Sequence, residues 1–75
     1  MYTLREWRAR RLMSVRDLAE KAGVSTKTIV QLDYGRQLPS FRTMQRLSQA
    51  LEVQPAEVTE FAAAIEQRAA APTNG

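Results

Sequence analysis

Residues 15–34 read VRDLAEKAGVSTKTIVQLDY, and the spacing of their apolar groups decides the fold. Val15, Leu18, Ala19 and Ala22 recur at intervals of three and four, the stripe of one helix face, so a helix is expected over 15–22. Ser14 is placed to cap it, with Asp17 three residues on as the capping-box carboxylate. Gly23 ends it, because glycine takes the left-handed conformation at little cost. Ser25 caps a second helix, about 26–34, that turns Ile29 and Leu32 inward and stops at Gly35. The connection is only Gly23, Val24 and Ser25, so the two helices must cross, with Ala19 small at the crossing and Val24 filling the angle. The second helix then keeps Thr26, Lys27, Val30, Gln31 and Tyr34 on its outer side.

Three more helices flank this pair. One, about 3–11, has Leu4, Trp7 and Arg8 on one face and is closed by Met13; Trp7 reads as a partly buried core residue rather than a stacking platform. Another, about 41–51, follows Pro39 and Ser40 and repeats apolar groups at Phe41, Met44, Leu47, Ala50 and Leu51. The last, about 55–69, has Pro55 in its first turn and Val58, Phe61, Ala62 and Ile65 as its stripe. No strand pattern competes. The expectation is one all-α, five-helix domain over residues 1–70 and a flexible tail over 71–75.

With 75 residues the chain supports a single modest core. It has no cysteine and no histidine, which excludes disulfides, thiolate metal sites and histidine catalysis. There is no glycine-rich phosphate loop and no cluster of carboxylates, so neither an enzyme nor a cofactor or metal site is expected. No apolar run approaches the ~20 residues of a membrane span and no leader pattern opens the chain, which points to a cytoplasmic protein. Charge is unevenly divided. Residues 1–51 hold ten of the eleven bases and four acids, net +6, whereas residues 52–75 hold Arg68 and four acids, net −3. A basic body with an acidic end is the footprint of a polyanion binder whose C-terminal part faces elsewhere.

Two helices joined by a short glycine turn form the unit that many DNA-binding proteins dock in the major groove. The run Leu18-Ala19-Glu20-Lys21-Ala22-Gly23-Val24-Ser25, followed by Thr28-Ile29, Leu32-Asp33, Gly35-Arg36 and Pro39-Ser40, resembles the Xre family of lambda-repressor-like helix-turn-helix domains. The likeness spans about Leu4 to Val58. It implies a five-helix domain whose third helix reads DNA, commonly as a dimer on a near-palindromic operator.

Carried onto this sequence, the resemblance sets Thr26, Lys27 and Gln31 as base-reading residues, and Val30 lies on the same face, suited to a thymine methyl. It implies phosphate contacts for Ser25, Thr28, Tyr34, Arg36, Gln37, Ser40, Arg42 and Thr43. Arg8 and Asp33 match positions that form an internal ion pair in some relatives. Where many relatives open the second helix with a phosphate-binding glutamine this chain has Val15, so that contact is expected to be lost or moved to Arg16. Each polar residue also has a plain reading as a solvated helix face, and Tyr34 is divided between packing and a phosphate hydrogen bond.

A chain this small is expected to leave part of the Val58, Phe61, Ala62, Ile65 stripe exposed, as a homodimer interface or a surface for a protein partner. The expected function is a DNA-binding transcriptional regulator, a repressor or autoregulator acting as a bare DNA-binding module and associated with the nucleoid when bound. The competing reading is an antitoxin-like or adaptor interaction module on the same fold, using the C-terminal helix as its functional surface.

Overall fold

Thr3, Ser14, Ser25 and Ser40 each sit in extended backbone immediately before a helix, and each side chain accepts the amide proton three residues on. These bonds satisfy donors that the first helical turn cannot, which fixes where each helix begins. In the computed structural model, which describes residues 1–70, the helices are α1 (Leu4–Arg10), α2 (Val15–Ala22), α3 (Thr26–Asp33), α4 (Phe41–Leu51) and α5 (Thr59–Ala70). The tail expected at 71–75 lies outside the described residues.

The first four helices end alike. A left-handed residue follows the last turn, and the amide after it reaches back to the carbonyl five residues earlier: Met13 to Arg8, Val24 to Ala19, Arg36 to Gln31, and Val53 to Ser48, at 2.9–3.1 Å. Gly23 and Gly35 supply the left-handed residue for α2 and α3, with φ of 71° and 66°. Leu12 and Glu52 supply it for α1 and α4, with φ of 56° and 60°, which strains an L-residue.

One core lies between the helices. Leu4, Leu18, Ile29, Leu47, Leu51, Val58 and Phe61 are wholly buried, with Leu32, Met44, Ala19, Ala22, Ala50 and Ala64 nearly so. Trp7, Met13, Val15, Val24, Val53 and Ile65 pack around them, in keeping with the expected role of Trp7 and with Val24 as the plug in the α2–α3 angle. Inside the core Arg8 of α1 bonds Asp33 of α3, their side chains 11% and 4% exposed.

Three expectations are corrected. The fifth helix does not run from residue 55. Pro55–Glu57 form a 3-10 turn, Val58 is extended, and α5 begins at Thr59. The cause is long-range: Val58 bridges Tyr2, with the Tyr2 amide donating to the Glu57 carbonyl and the Thr59 amide to the Tyr2 carbonyl. Second, Val58 and Phe61 are not part of an exposed interface, because that bridge turns Val58 into the core and α5 follows with Phe61 beneath it. Third, Phe41 is 57% exposed. It occupies the first turn of α4, where the helix has not yet reached the core, and the Arg68 guanidinium of α5 covers its ring at 4.6 Å.

Candidate nucleic-acid interface

The crossing of α2 and α3 is held from both sides. Gly23 turns the chain, and Arg46 of α4 donates to the Gly23 carbonyl at 3.2 Å, tying the turn to the helix behind it. Ile29 and Leu32 face the core, so the opposite side of α3 is offered outward. Thr26 and Lys27 are exposed, Val30 is 38% exposed, and Gln31 is half-buried. The structure thus brings the four proposed base-reading residues onto one face, with Gln31 the most confined.

That face carries no carboxylate. The one acid of α3, Asp33, is turned inward to Arg8. The helix starts show the same selection. α1 and α2 open with carboxylates, Glu6 and Asp17, that accept the Thr3 and Ser14 amides. Those bonds from the backbone amides, and then from the Thr3 and Ser14 hydroxyls, hold both carboxyls below their usual range. α3 and α4 have no acid in the first turn and use neutral Ser–Thr pairs instead. Ser25 and Thr28 hydroxyls lie 2.9 Å apart, and Ser40 donates to Thr43 at 3.0 Å. Ser40 therefore spends its only hydroxyl proton internally, and the Thr43 hydroxyl keeps the one that can reach an acceptor. Both helix starts keep the positive end of their dipoles uncompensated, the condition for holding an anion.

Around this face Arg16, Arg36, Gln37 and Arg42 are exposed, Thr28 and Thr43 are half-buried, and Tyr34 is 61% exposed at the end of α3. The sequence reading included Arg36 but missed two other cations that organise the rim, Arg5 and Arg46. Arg5 and Arg36 both stack on Tyr34, at 5.5 and 5.3 Å from the ring centre, and Arg46 braces the turn. Arg46 is four residues after Arg42 on α4, so helical spacing carried a signal for it, whereas Arg5 is brought in only by the packing of α1 against the end of α3.

Fold and outer face together define a helix-turn-helix domain. The family model described as helix-turn-helix matches residues 4–58. The chain belongs to this family, that of Xre and lambda-repressor-like DNA-binding domains, which is a regulatory rather than an enzymatic one. No curated protein and no solved structure matches the chain. Among the described residues no helix is long and apolar enough to cross a membrane.

Proposed function

We propose that this chain is a sequence-specific regulator of transcription, a repressor or autoregulator, that reads double-stranded DNA by setting α3 in the major groove. The observation that carries the reading is the outer side of α3: exposed, free of carboxylates, and lined by residue types with known base partners. Gln31 suits the donor and acceptor pair of adenine, Lys27 the acceptors of guanine, and Thr26 and Val30 the thymine methyl. The uncompensated starts of α3 and α4, with Arg16, Ser25, Thr28, Arg36, Gln37, Arg42 and Thr43, would hold the backbone on either side of the groove, while the Ser40 hydroxyl, first expected there, is committed to Thr43. The protein would act in the cytoplasm, on the nucleoid, without a cofactor.

A two-fold dimer completes the proposal. With Val58 and Phe61 in the core, the apolar surface of α5 that remains is Ala62, Ile65 and Ala69, which with Met1, Ala56 and the charged Glu66 line a shallow depression. A second copy seated there would set two recognition helices about one DNA turn, ~34–36 Å, apart on a near-palindromic operator.

Selection of bound sites from random duplexes tests the reading: a recovered motif with two-fold symmetry is expected. On that motif Gln31→Ala should lose roughly 1–3 kcal/mol and relax the preference at one position, whereas Arg42→Ala should weaken every duplex alike. No enrichment over random duplex would overturn DNA reading and favour an interaction module instead.

A further inference from the structure

We propose that Arg5, Tyr34 and Arg36 form a single clamp for one DNA phosphate at the C-terminal end of α3, which makes α1 part of the interface. The inference rests on the proposed DNA reading and extends it to a helix that reading does not use.

The argument begins with the ring. Tyr34 is 61% exposed, and two guanidinium groups from different parts of the chain converge on it, Arg5 from α1 and Arg36 from the loop after α3. Among the described residues neither arginine has a carboxylate within 4.0 Å, since the one ion pair is Arg8–Asp33. Two like charges drawn to one ring repel each other, and an exposed cation–π contact gives each only about 0.5–1 kcal/mol. An anion between them removes the repulsion. A phosphate fits, because guanidinium groups present paired donors to its oxygens and the tyrosine hydroxyl adds another.

The clamp is delivered by the buried ion pair. Arg8 holds Asp33 from one turn further along α1, and Tyr34 follows Asp33 directly. Fixing α1 against the end of α3 therefore fixes Arg5 against Tyr34. The location also suits a phosphate rather than a base. From Thr26 to Tyr34 the helix advances about 12 Å at 1.5 Å per residue. The major groove is about 12 Å wide, so a helix with its first turn on base edges carries its last residue to the backbone.

The test is the salt dependence of binding, by fluorescence anisotropy of a selected duplex and a random one between 50 and 200 mM salt. Each phosphate contact contributes about 0.9 to the slope of log K against log salt. Because Arg5 and Arg36 share one phosphate, Arg5→Gln combined with Arg36→Gln is expected to lower the slope by about 0.9, and Arg5→Gln alone by part of that while weakening both duplexes several-fold, with melting unchanged. Arg5→Lys should keep the slope, as the charge remains. Arg10→Gln removes the same charge from the same helix but beside Tyr2, where Arg10 lies 3.8 Å from the ring, and should leave the slope as it was. Tyr34→Leu should weaken binding on both duplexes, and Tyr34→Phe by less. An Arg5→Gln variant that binds both duplexes as tightly as the parent, or a double variant whose slope falls no further than that of Arg36→Gln alone, overturns the clamp while leaving DNA reading intact. Failure of the parent chain to bind any duplex overturns both.

Discussion

Changing Asp33 to leucine while Arg8 remains strands a guanidinium inside the domain. The side chains are 4% and 11% exposed, so the arginine cannot regain water without opening α1 from α3. Breaking a buried pair by removing one partner costs roughly 3–5 kcal/mol. At 0.05–0.15 kcal/mol per residue, a domain of this length has about 4–11 kcal/mol in all. One substitution thus removes between about a quarter and the whole of it, and with ~4–8 °C lost per kcal/mol the melting point should fall by at least about 12 °C. The pair itself is poorly satisfied. It has one hydrogen bond, Arg8 Nη2 to Asp33 Oδ2, while Arg8 Nε and Asp33 Oδ1 are buried without a partner. Its attraction therefore offsets the desolvation of both groups only in part. Arg8→Met combined with Asp33→Leu is expected to recover most of the loss and to end within about 1 kcal/mol of the parent, or above it. Urea denaturation of the two single variants and the double closes the cycle, and a coupling of at least about 2 kcal/mol is expected. A loss under 1 kcal/mol for Asp33→Leu, or a double variant less stable than either single one, would refute the reasoning.

Leu12→Gly should stabilise the protein by about 0.5–1 kcal/mol, because the left-handed strain of about 1–2 kcal/mol outweighs the added freedom of the unfolded glycine. At 91% exposure the leucine side chain contributes no burial that would be lost, and a melting point that falls contradicts this. Gly23→Ala should cost about 1–2 kcal/mol through backbone strain at φ 71°, not through a clash, since the nearest atom to the new methyl is Arg46 Nη1 at 3.8 Å. A loss several times larger would mean that the turn is crowded. Stability should decline in acid partly through Glu6 and Asp17. Both have folded pKa values below the ordinary 4.5 and 3.8, so their contribution is full above those values and is lost as pH falls through the lowered ones. Asp17→Asn should flatten the acid limb of a melting-point series, and an unchanged limb would show that the capping carboxylate is not coupled to folding.

The parts of the fold written in local chemistry were legible. The Ser14 and Ser25 caps, the helix start at Ser40, the Gly23 turn and the inward stripe of Ile29 and Leu32 each depend on residues within four of one another, and each lies where the spacing set it, whereas Thr3, expected inside the first helix, is its cap. The endings of α1 and α4 were less so, because Leu12 and Glu52 take a conformation that their residue types do not advertise. Val58 was misread for a different reason. Its place is fixed by Tyr2, 56 residues away, and a pairing at that distance leaves no mark on the apolar period of 55–65. The same applies to the rim of the interface. Arg36 and Arg42 stand near the motif in sequence, whereas Arg5 reaches it only because a buried ion pair lays α1 across the end of α3.

The correction at α5 changes the kind of dimer to expect. α5 has 12 residues, about 18 Å of helix at 1.5 Å per residue. With a helix width of about 10 Å it offers on the order of 200 Å² in projection, against about 800 Å² per partner in a standard stable interface. Such a face is too small to hold a dimer at low concentration, so in the proposed dimer the operator would supply the rest by bringing two chains side by side at an effective concentration in the millimolar range. Sedimentation at micromolar concentration should show a monomer, and titration of a two-fold duplex should load two chains cooperatively. Inserting about five base pairs between half-sites turns the second chain to the far side of the duplex and should abolish the cooperativity without altering half-site affinity. Ala69→Glu, at an exposed residue of the depression, should do the same on the unaltered duplex. A dimer that persists at nanomolar concentration without DNA, or cooperativity that survives both changes, would mean that the two copies meet through some other surface.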